Sequence, residues 1–149
     1  MIKYGKPIKV DKDGFDTLVE YFRNDKKIVA IYLFGSYARG EQDALSDIDL
    51  AFLFRRNFLC TFDEQLNYLE KINSILKTDE ISFVILNEAP LLFKYKIISA
   101  GKVLYCANQQ ERLDFEQYVE DLYFDFKPVL AIYDNELLLQ VKDGKAFNR

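Results

Sequence analysis

The stretch that decides the fold is KIVAIYLFGSYARGEQDALSDIDLAFLF, from Lys27 to Phe54. It holds two almost entirely apolar runs that are rich in β-branched and aromatic residues, and such runs are typical of strands buried on both faces. Gly35 ends the first run, whereas Asp47 and Asp49 lie at the start of the second. Two carboxylates at the edge of a buried strand lower stability unless a ligand binds them. The segment therefore predicts a binding site as well as part of a sheet.

A helix is predicted before this segment. Its apolar residues recur at positions i, i+3, i+4 and i+7, which is the spacing of one helical face. They are Phe15, Leu18, Val19 and Phe22. We expect Asp13 to be the N-cap of this helix.

More of the sheet is predicted after the segment. Residues 61–64 have the Thr-x-x-Glu form of a capping box, and apolar residues at helical spacing follow them. The runs 81–86 and 102–106 are typical of strands. A helix is expected between them over 91–99, with Pro90 in its first turn and Gly101 as its C-cap.

These elements predict a small α/β (α+β) fold, with a mixed sheet of three or four strands flanked by helices. We expect the helices on one side of the sheet, followed by a helical C-terminal extension. The whole chain, 1–149, is expected to be one domain with its core at about 13–106 and the extension at about 108–143. Pro128 is expected to kink or break the extension, which leaves a last helix over 129–141.

The composition excludes several kinds of chemistry. The chain has no histidine, which removes histidine-based acid–base catalysis and most transition-metal sites. A formal net charge of −4 and the lack of long Lys/Arg runs argue against direct nucleic-acid binding. Cys60 and Cys106 form no metal-binding pattern, so we expect reduced thiols. With no apolar signal core at the N-terminus and no membrane-spanning run, a cytoplasmic protein is expected.

The opening segment favours a site for a metal ion and a phosphate. Asp47 and Asp49 are two residues apart in a predicted strand, so they project from the same face and offer the oxygen ligands that Mg²⁺ prefers. Gly35 allows close approach of the backbone to a phosphate, and Ser36 adds a hydroxyl donor at the start of a helical turn. Each pattern alone is also typical of an ordinary turn or a solvated strand edge. In strand–turn–strand order they are much more specific.

The pattern Gly-Ser, ten residues, Asp-x-Asp resembles the signature of the DNA polymerase β-like nucleotidyltransferase superfamily. The segment YARGEQDALSDIDL, which follows the Gly-Ser pair and includes the Asp-x-Asp, resembles the minimal nucleotidyltransferases. The later segments ILNEAPLLFKYKIISAGKVLY and YFDFKPVLAIYDNELL resemble the MntA antitoxins, the partners of HEPN-domain toxins. The resemblance implies a hetero-oligomeric complex in which the antitoxin transfers AMP from ATP to tyrosine hydroxyls of a HEPN-family ribonuclease toxin. This Mg²⁺-dependent reaction would neutralise the toxin.

The resemblance also implies roles for individual residues. Asp47 and Asp49 would be catalytic and would ligate the metal, with two Mg²⁺ ions expected. The residues implied in nucleotide binding are Gly35, Ser36, Arg39 and Ser46. For Arg39, a solvated surface charge is an equally good interpretation.

The sequence departs from the superfamily pattern at the third carboxylate. In the superfamily this group lies on a later strand, ligates metal and helps to deprotonate the attacking hydroxyl. Here the matching segment is ISFVIL before NEAP, and Ser82 occupies the place where the Asp is expected. Glu80 points to the same face one pleat earlier, and we expect it to substitute as the catalytic carboxylate. A charged strand entrance explains Glu80 at least as well.

Two other functions remain open from the sequence. The chain is also consistent with a binding module that neutralises its partner by docking, since the segment 118–126, YVEDLYFDF, holds more aromatic residues than one helical stripe can bury. A nucleotidyltransferase with a small-molecule acceptor is the other alternative, and the short chain leaves little room for a separate acceptor domain.

Overall fold

The computed structural model describes residues 11–41 and 47–142, with side chains described up to residue 132. In chain order the elements are α1 (Lys12–Phe22), β1 (Ile28–Phe34), α2 (Gly35–Arg39), β2 (Ile48–Phe54), α3 (Phe62–Leu76), β3 (Ile81–Ile85), a 3-10 turn (Leu86–Glu88), α4 (Leu91–Ala100), β4 (Lys102–Cys106) and α5 (Gln109–Lys142). Every predicted strand is present within one or two residues of its expected bounds.

The four strands form one mixed sheet in the order β3-β2-β1-β4. Strand β1 pairs antiparallel with both β2 and β4, whereas β2 pairs parallel with β3. The two most apolar strands, β1 and β2, are therefore the central ones, as their sequences require. This arrangement confirms the mixed α/β sheet.

Helices cover both faces of the sheet, so the expectation that they lie on one side was wrong. On one face α1 and α3 pack over the sheet through Leu18, Phe22 and Ile72. On the other face α4 contributes the buried Ile97, and α5 contributes the partly buried Phe115. The physical reason is that β1 and β2 are apolar on both faces, and each face must be removed from water.

The helix ends follow their local capping chemistry, with one correction. Thr61 and Glu64 form the predicted reciprocal capping box, and Gly101 is the C-cap of α4. The N-cap of α1 is Asp11, whose carboxylate accepts a hydrogen bond of 3.1 Å from the Gly14 N–H. Asp13 lies within the first turn instead, where its charge faces the positive end of the helix dipole.

The C-terminal extension is a single helix, so the break predicted at Pro128 was also wrong. Pro128 lies inside α5, and the last helix expected over 129–141 is the continuation of α5. An interior proline removes one backbone hydrogen bond and crowds the preceding turn. The Pro128 side chain is exposed, so bending at this point disturbs no packed neighbour. Within the described ranges, no helix combines the length and apolar character needed to cross a membrane.

Candidate functional site

The predicted site residues meet where β1 ends and β2 begins. In the antiparallel pairing Phe34 lies opposite Asp49, and α2 begins directly after Phe34. Asp47 comes immediately before β2, one pleat from Asp49. The structure therefore brings the Gly-Ser turn and the Asp-x-Asp pair to the same end of the sheet. Ser46, also expected here, lies outside the described residues.

Gly35 and Asp49 are in direct contact. Gly35 has a φ of +73°, a conformation that costs L-residues with a side chain on the order of 1–2 kcal/mol. A Cβ atom added to Gly35 would collide with the Oδ2 atom of Asp49. Position 35 therefore requires glycine for two independent reasons, its backbone conformation and the space that the carboxylate occupies.

The short helix α2 is held to the domain by its middle residues. Tyr37 and Ala38 are buried in the core on the α1 side of the sheet, which leaves Ser36 half-buried at the start of the helix. Gly40 ends α2 in the left-handed conformation, and its N–H donates to the carbonyls of Ser36 and Tyr37. The first N–H groups of a helix have no partner within it, so the turn at 35–36 offers donors at the Asp49 carboxylate.

The electrostatics of the Asp pair favour a bound cation. Burial is the main cause that raises the pKa of Asp49, the negative charge of Asp47 raises it further, and the Arg39 guanidinium partly opposes both. Arg39 is itself paired with Glu41 at 2.9 Å, and both side chains are exposed. A divalent cation between the carboxylates would offset their repulsion more directly than this shared arginine does.

Ser82 occupies the position at which the resemblance to the superfamily implies a third carboxylate. In the parallel pairing of β2 with β3, Ser82 is the direct partner of Asp49. Residues paired in this way share one face of a sheet, so an acid at position 82 would stand beside Asp49. A serine hydroxyl is a poor base and a weak ligand for Mg²⁺.

Glu80 lies one pleat before Ser82 and is nearly inaccessible to solvent. Its side chain is 6% exposed, and its Oε2 atom has no hydrogen-bond partner among the described residues. Its backbone carbonyl accepts a hydrogen bond of 2.9 Å from the Ile48 N–H, which fixes the entrance of β3 against β2. In the part of the chain that the structure describes, no three Asp, Glu or Cys side chains lie close enough together to hold a metal ion. Glu80 therefore does not complete a three-carboxylate site with the Asp pair in this conformation.

An aromatic pair that sequence reasoning missed adjoins the site. Phe34, opposite Asp49, packs against Phe93 of α4 in an edge-to-face arrangement with ring centroids 5.6 Å apart. Because β1 pairs with β2 at these two residues, Phe34 shares its face of the sheet with Asp49. The sequence signal was the position of Phe34 directly before the turn, but Phe93 becomes a neighbour only through the packing of α4.

Gly35 and Gly40 both have positive φ, but only Gly35 is close to Asp49. Substituting each of them by alanine should therefore separate the cost of the backbone conformation from the cost of displacing the carboxylate. Gly40 has a φ of +70° and open space around its Cα, so Gly40→Ala should lower the free energy of unfolding only by the conformational cost, about 1–2 kcal/mol. Gly35→Ala has the same conformational cost and must also displace Asp49, so the loss should be clearly larger. Urea unfolding of both variants measures the difference, and equal losses would contradict the Gly35–Asp49 contact.

The free protein should become more stable when Asp49 loses its charge. Because the pKa of Asp49 is raised on folding, the folded state binds its proton more tightly than the unfolded state does. Its ionised form therefore lowers stability above the folded pKa, and this loss disappears as the pH falls through that value. Asp49→Asn should raise the free energy of unfolding at pH 7 without metal, and the gain should shrink toward pH 4.

An exposed aspartate provides the control for this prediction. Asp16 lies on the solvent side of α1, and Asp16→Asn should leave the pH dependence of unfolding close to that of the unaltered chain. If Asp49→Asn destabilises the metal-free protein at pH 7, burial beside Asp47 does not dominate the environment of Asp49.

Comparison with known proteins places this site in a family. Residues 16–110 match the model of the polymerase β nucleotidyltransferase family, a segment that contains every site residue discussed above. Among curated proteins, the chain is 34% identical over 92 residues to the protein adenylyltransferase MntA of Shewanella oneidensis, which covers 60% of this chain and 63% of that protein. A relative from Methanocaldococcus jannaschii is 48% identical over 50 residues, which are 34% of this chain and half of that protein. The chain thus spans about half to two thirds of the length of these two curated relatives.

Solved structures give the same result over more of the chain. A toxin–antitoxin complex crystallised with AMP-PNP contains a chain that is 28% identical, with a TM-score of 0.69 over 83% of this chain and 98% of that one. The tri-AMPylated Shewanella oneidensis HEPN toxin in complex with the MNT antitoxin contains a chain that is 25% identical, with a TM-score of 0.65 over 85% of this chain and 98% of that one. Since the family model matches well over half of the sequence, this chain belongs to the polymerase β nucleotidyltransferase family.

Proposed function

We propose that this chain is an antitoxin-type nucleotidyltransferase that transfers AMP from ATP to a tyrosine hydroxyl of a cognate HEPN-family ribonuclease toxin. The observation that carries the proposal is the contact of Gly35 with Asp49, which joins the proposed phosphate-binding turn to the carboxylate pair. The similarity to chains from toxin–antitoxin complexes supports the choice of acceptor, because those structures include an AMP-PNP complex and an AMPylated HEPN toxin.

Mg²⁺ fits the residues at this site. Asp49 has a raised pKa because it is buried beside Asp47, and a cation would stabilise the ionised form of both groups. Mg²⁺ commonly binds one or two carboxylates together with substrate phosphates, which matches a site with two acids. When bound, the ion would neutralise charge on the phosphates during transfer. Asp47 and Asp49 are the residues that would hold it.

The remaining residues of the chain would position ATP. The N–H groups at Gly35 and Ser36, with the Ser36 hydroxyl, would donate to the phosphate chain, and Arg39 would place a positive charge beside it. The Phe34–Phe93 pair, next to Asp49 in the sheet, would exclude water from one side of the site and so strengthen electrostatic interactions at the reacting phosphate. The tyrosine oxygen of the toxin would then attack the α-phosphorus, with pyrophosphate as the leaving group.

The proton of the attacking hydroxyl has no evident acceptor at Ser82. Loss of a general base reduces rates typically by about 10²–10⁴-fold, so we propose slow transfer rather than none. Glu80 remains our candidate for this role. It is buried with an unpartnered oxygen one pleat away, and a change of side-chain rotamer during binding would redirect that oxygen.

Mass spectrometry tests the proposed reaction directly. The chain incubated with ATP, Mg²⁺ and the HEPN toxin should add one or more AMP units to the toxin, and Asp47→Asn/Asp49→Asn should abolish the addition because the metal is no longer held. A control variant that carries only Asp16→Asn should retain transfer. A toxin that forms the complex but never gains mass would contradict the proposed reaction.

Substitutions on β3 identify the base. Ser82→Asp puts a carboxylate directly beside Asp49 and should raise the single-turnover transfer rate by about 10²-fold or more. The neutral control Ser82→Asn should not raise it. If Glu80 already accepts the proton, Glu80→Gln should slow transfer and Ser82→Asp should add little. If none of the three variants changes the rate, proton transfer to β3 is not part of the slow step.

Neutralisation by docking is a second candidate function, which α5 favours. Tyr118, Phe124 and Phe126 are 61%, 54% and 50% exposed, an unusual number of large aromatic side chains facing water on one helix. The double variant Asp47→Asn/Asp49→Asn also separates the two candidates. Unchanged neutralisation of the toxin by this variant would favour docking over AMP transfer.

A further inference from the structure

A cavity lies at the opposite end of the sheet from the Asp pair. Its volume is about 660 Å³, and it opens between the end of β2, α4 and the first turns of α5. Strand residues advance about 3.3 Å each, so the end of β2 at Phe54 is roughly 17 Å from Asp49. The cavity is therefore separate from the site described above.

The rim of this cavity is fixed by backbone hydrogen bonds. Asn87 donates to the Phe54 carbonyl and accepts from the Phe54 N–H, both at 2.8 Å. The next residue, Arg55, donates its N–H to the Lys27 carbonyl at 2.9 Å and accepts at its own carbonyl from Phe58. The turn that carries Arg55 and Arg56 is thus held against the sheet, and both side chains line the cavity.

Three cations line the cavity, and none of them forms an ion pair with a described residue. Among the described residues, the arginines in ion pairs are Arg23, Arg39 and Arg112. Arg55, Arg56 and Lys94 are in none of these pairs, although the chain carries a net charge of −4. Lys94 also lies over the ring of Phe115, with its Nζ atom 5.9 Å from the ring centroid. Three cations gathered around one cavity of an acidic protein favour an anionic ligand.

The other lining residues indicate what the anion is attached to. Tyr118 offers an exposed ring for stacking, and Glu111 and Asp114 offer carboxylate oxygens that accept from hydroxyl or amino groups. Three cations and two carboxylates leave a lining charge of +1, which suits one phosphate better than a triphosphate. A volume of 660 Å³ lies within the range of small-molecule sites.

We propose that this cavity is a second nucleotide site, independent of metal, that binds a nucleoside monophosphate. The phosphate binds Arg55 and Arg56, with Lys94 beside it. The base stacks on Tyr118, and the ribose hydroxyls donate to Glu111 or Asp114. This site goes beyond the proposed AMP transfer, since none of these residues takes part in that reaction.

Calorimetric titration with AMP tests the proposal on the full chain. The Asp47→Asn/Asp49→Asn background in EDTA removes metal-dependent binding at the first site. One saturable AMP site is expected there, and Arg55→Gln/Arg56→Gln should weaken it at least tenfold. The matched control Lys96→Gln/Lys102→Gln removes two exposed cations outside the cavity and should leave the affinity unchanged.

Two further probes define the ligand. Adenosine and inorganic phosphate should each bind at least tenfold more weakly than AMP, because each lacks half of the recognised groups. Absence of AMP binding, equal weakening by the two double variants, or phosphate binding as tightly as AMP would overturn the proposal. Circular dichroism of each variant confirms that the fold is retained. The outcome is independent of AMP transfer, which the background variant is expected to have lost.

Discussion

The contact between Gly35 and Asp49 is the constraint on which the site depends. Pairing of β1 with β2 sets Phe34 opposite Asp49, so the chain must leave the sheet beside a carboxylate. Only a residue that adopts positive φ and lacks a Cβ atom can occupy position 35, where the chain leaves β1. The Gly-Ser turn and the carboxylate of Asp49 are consequently one structural unit, and neither can be repositioned without the other.

The same unit limits stability. Asp49 is held in a partly buried position beside Asp47, where its ionised form is disfavoured by burial and by like charge. Arg39 offsets this only in part, because it is exposed and shared with Glu41. The free protein therefore retains an unfavourable charge arrangement that a bound cation would relieve, which is typical of functional sites.

Local signals in the sequence were sufficient for the strands, the capping box at Thr61 and the site-forming turn. Features decided by tertiary context were not. Asp11 and Asp13 are equally good N-caps by residue type, and the backbone conformation selects Asp11. Pro128 is a strong helix breaker by propensity, yet α5 continues through it. The position of Ser82 beside Asp49 depends on the parallel register of β2 with β3, which spacing along the chain does not determine.

The serine at position 82 has different consequences for a metabolic enzyme and for an antitoxin. A metabolic enzyme turns over many substrate molecules, so loss of a general base lowers its flux in proportion. An antitoxin that modifies its partner within a complex needs few transfers for each toxin molecule, and the bound complex holds the acceptor at high effective concentration. Docking through the exposed aromatic residues of α5 would also restrain the toxin before transfer occurs. A site with two carboxylates is therefore compatible with the proposed role even if its chemistry is slow.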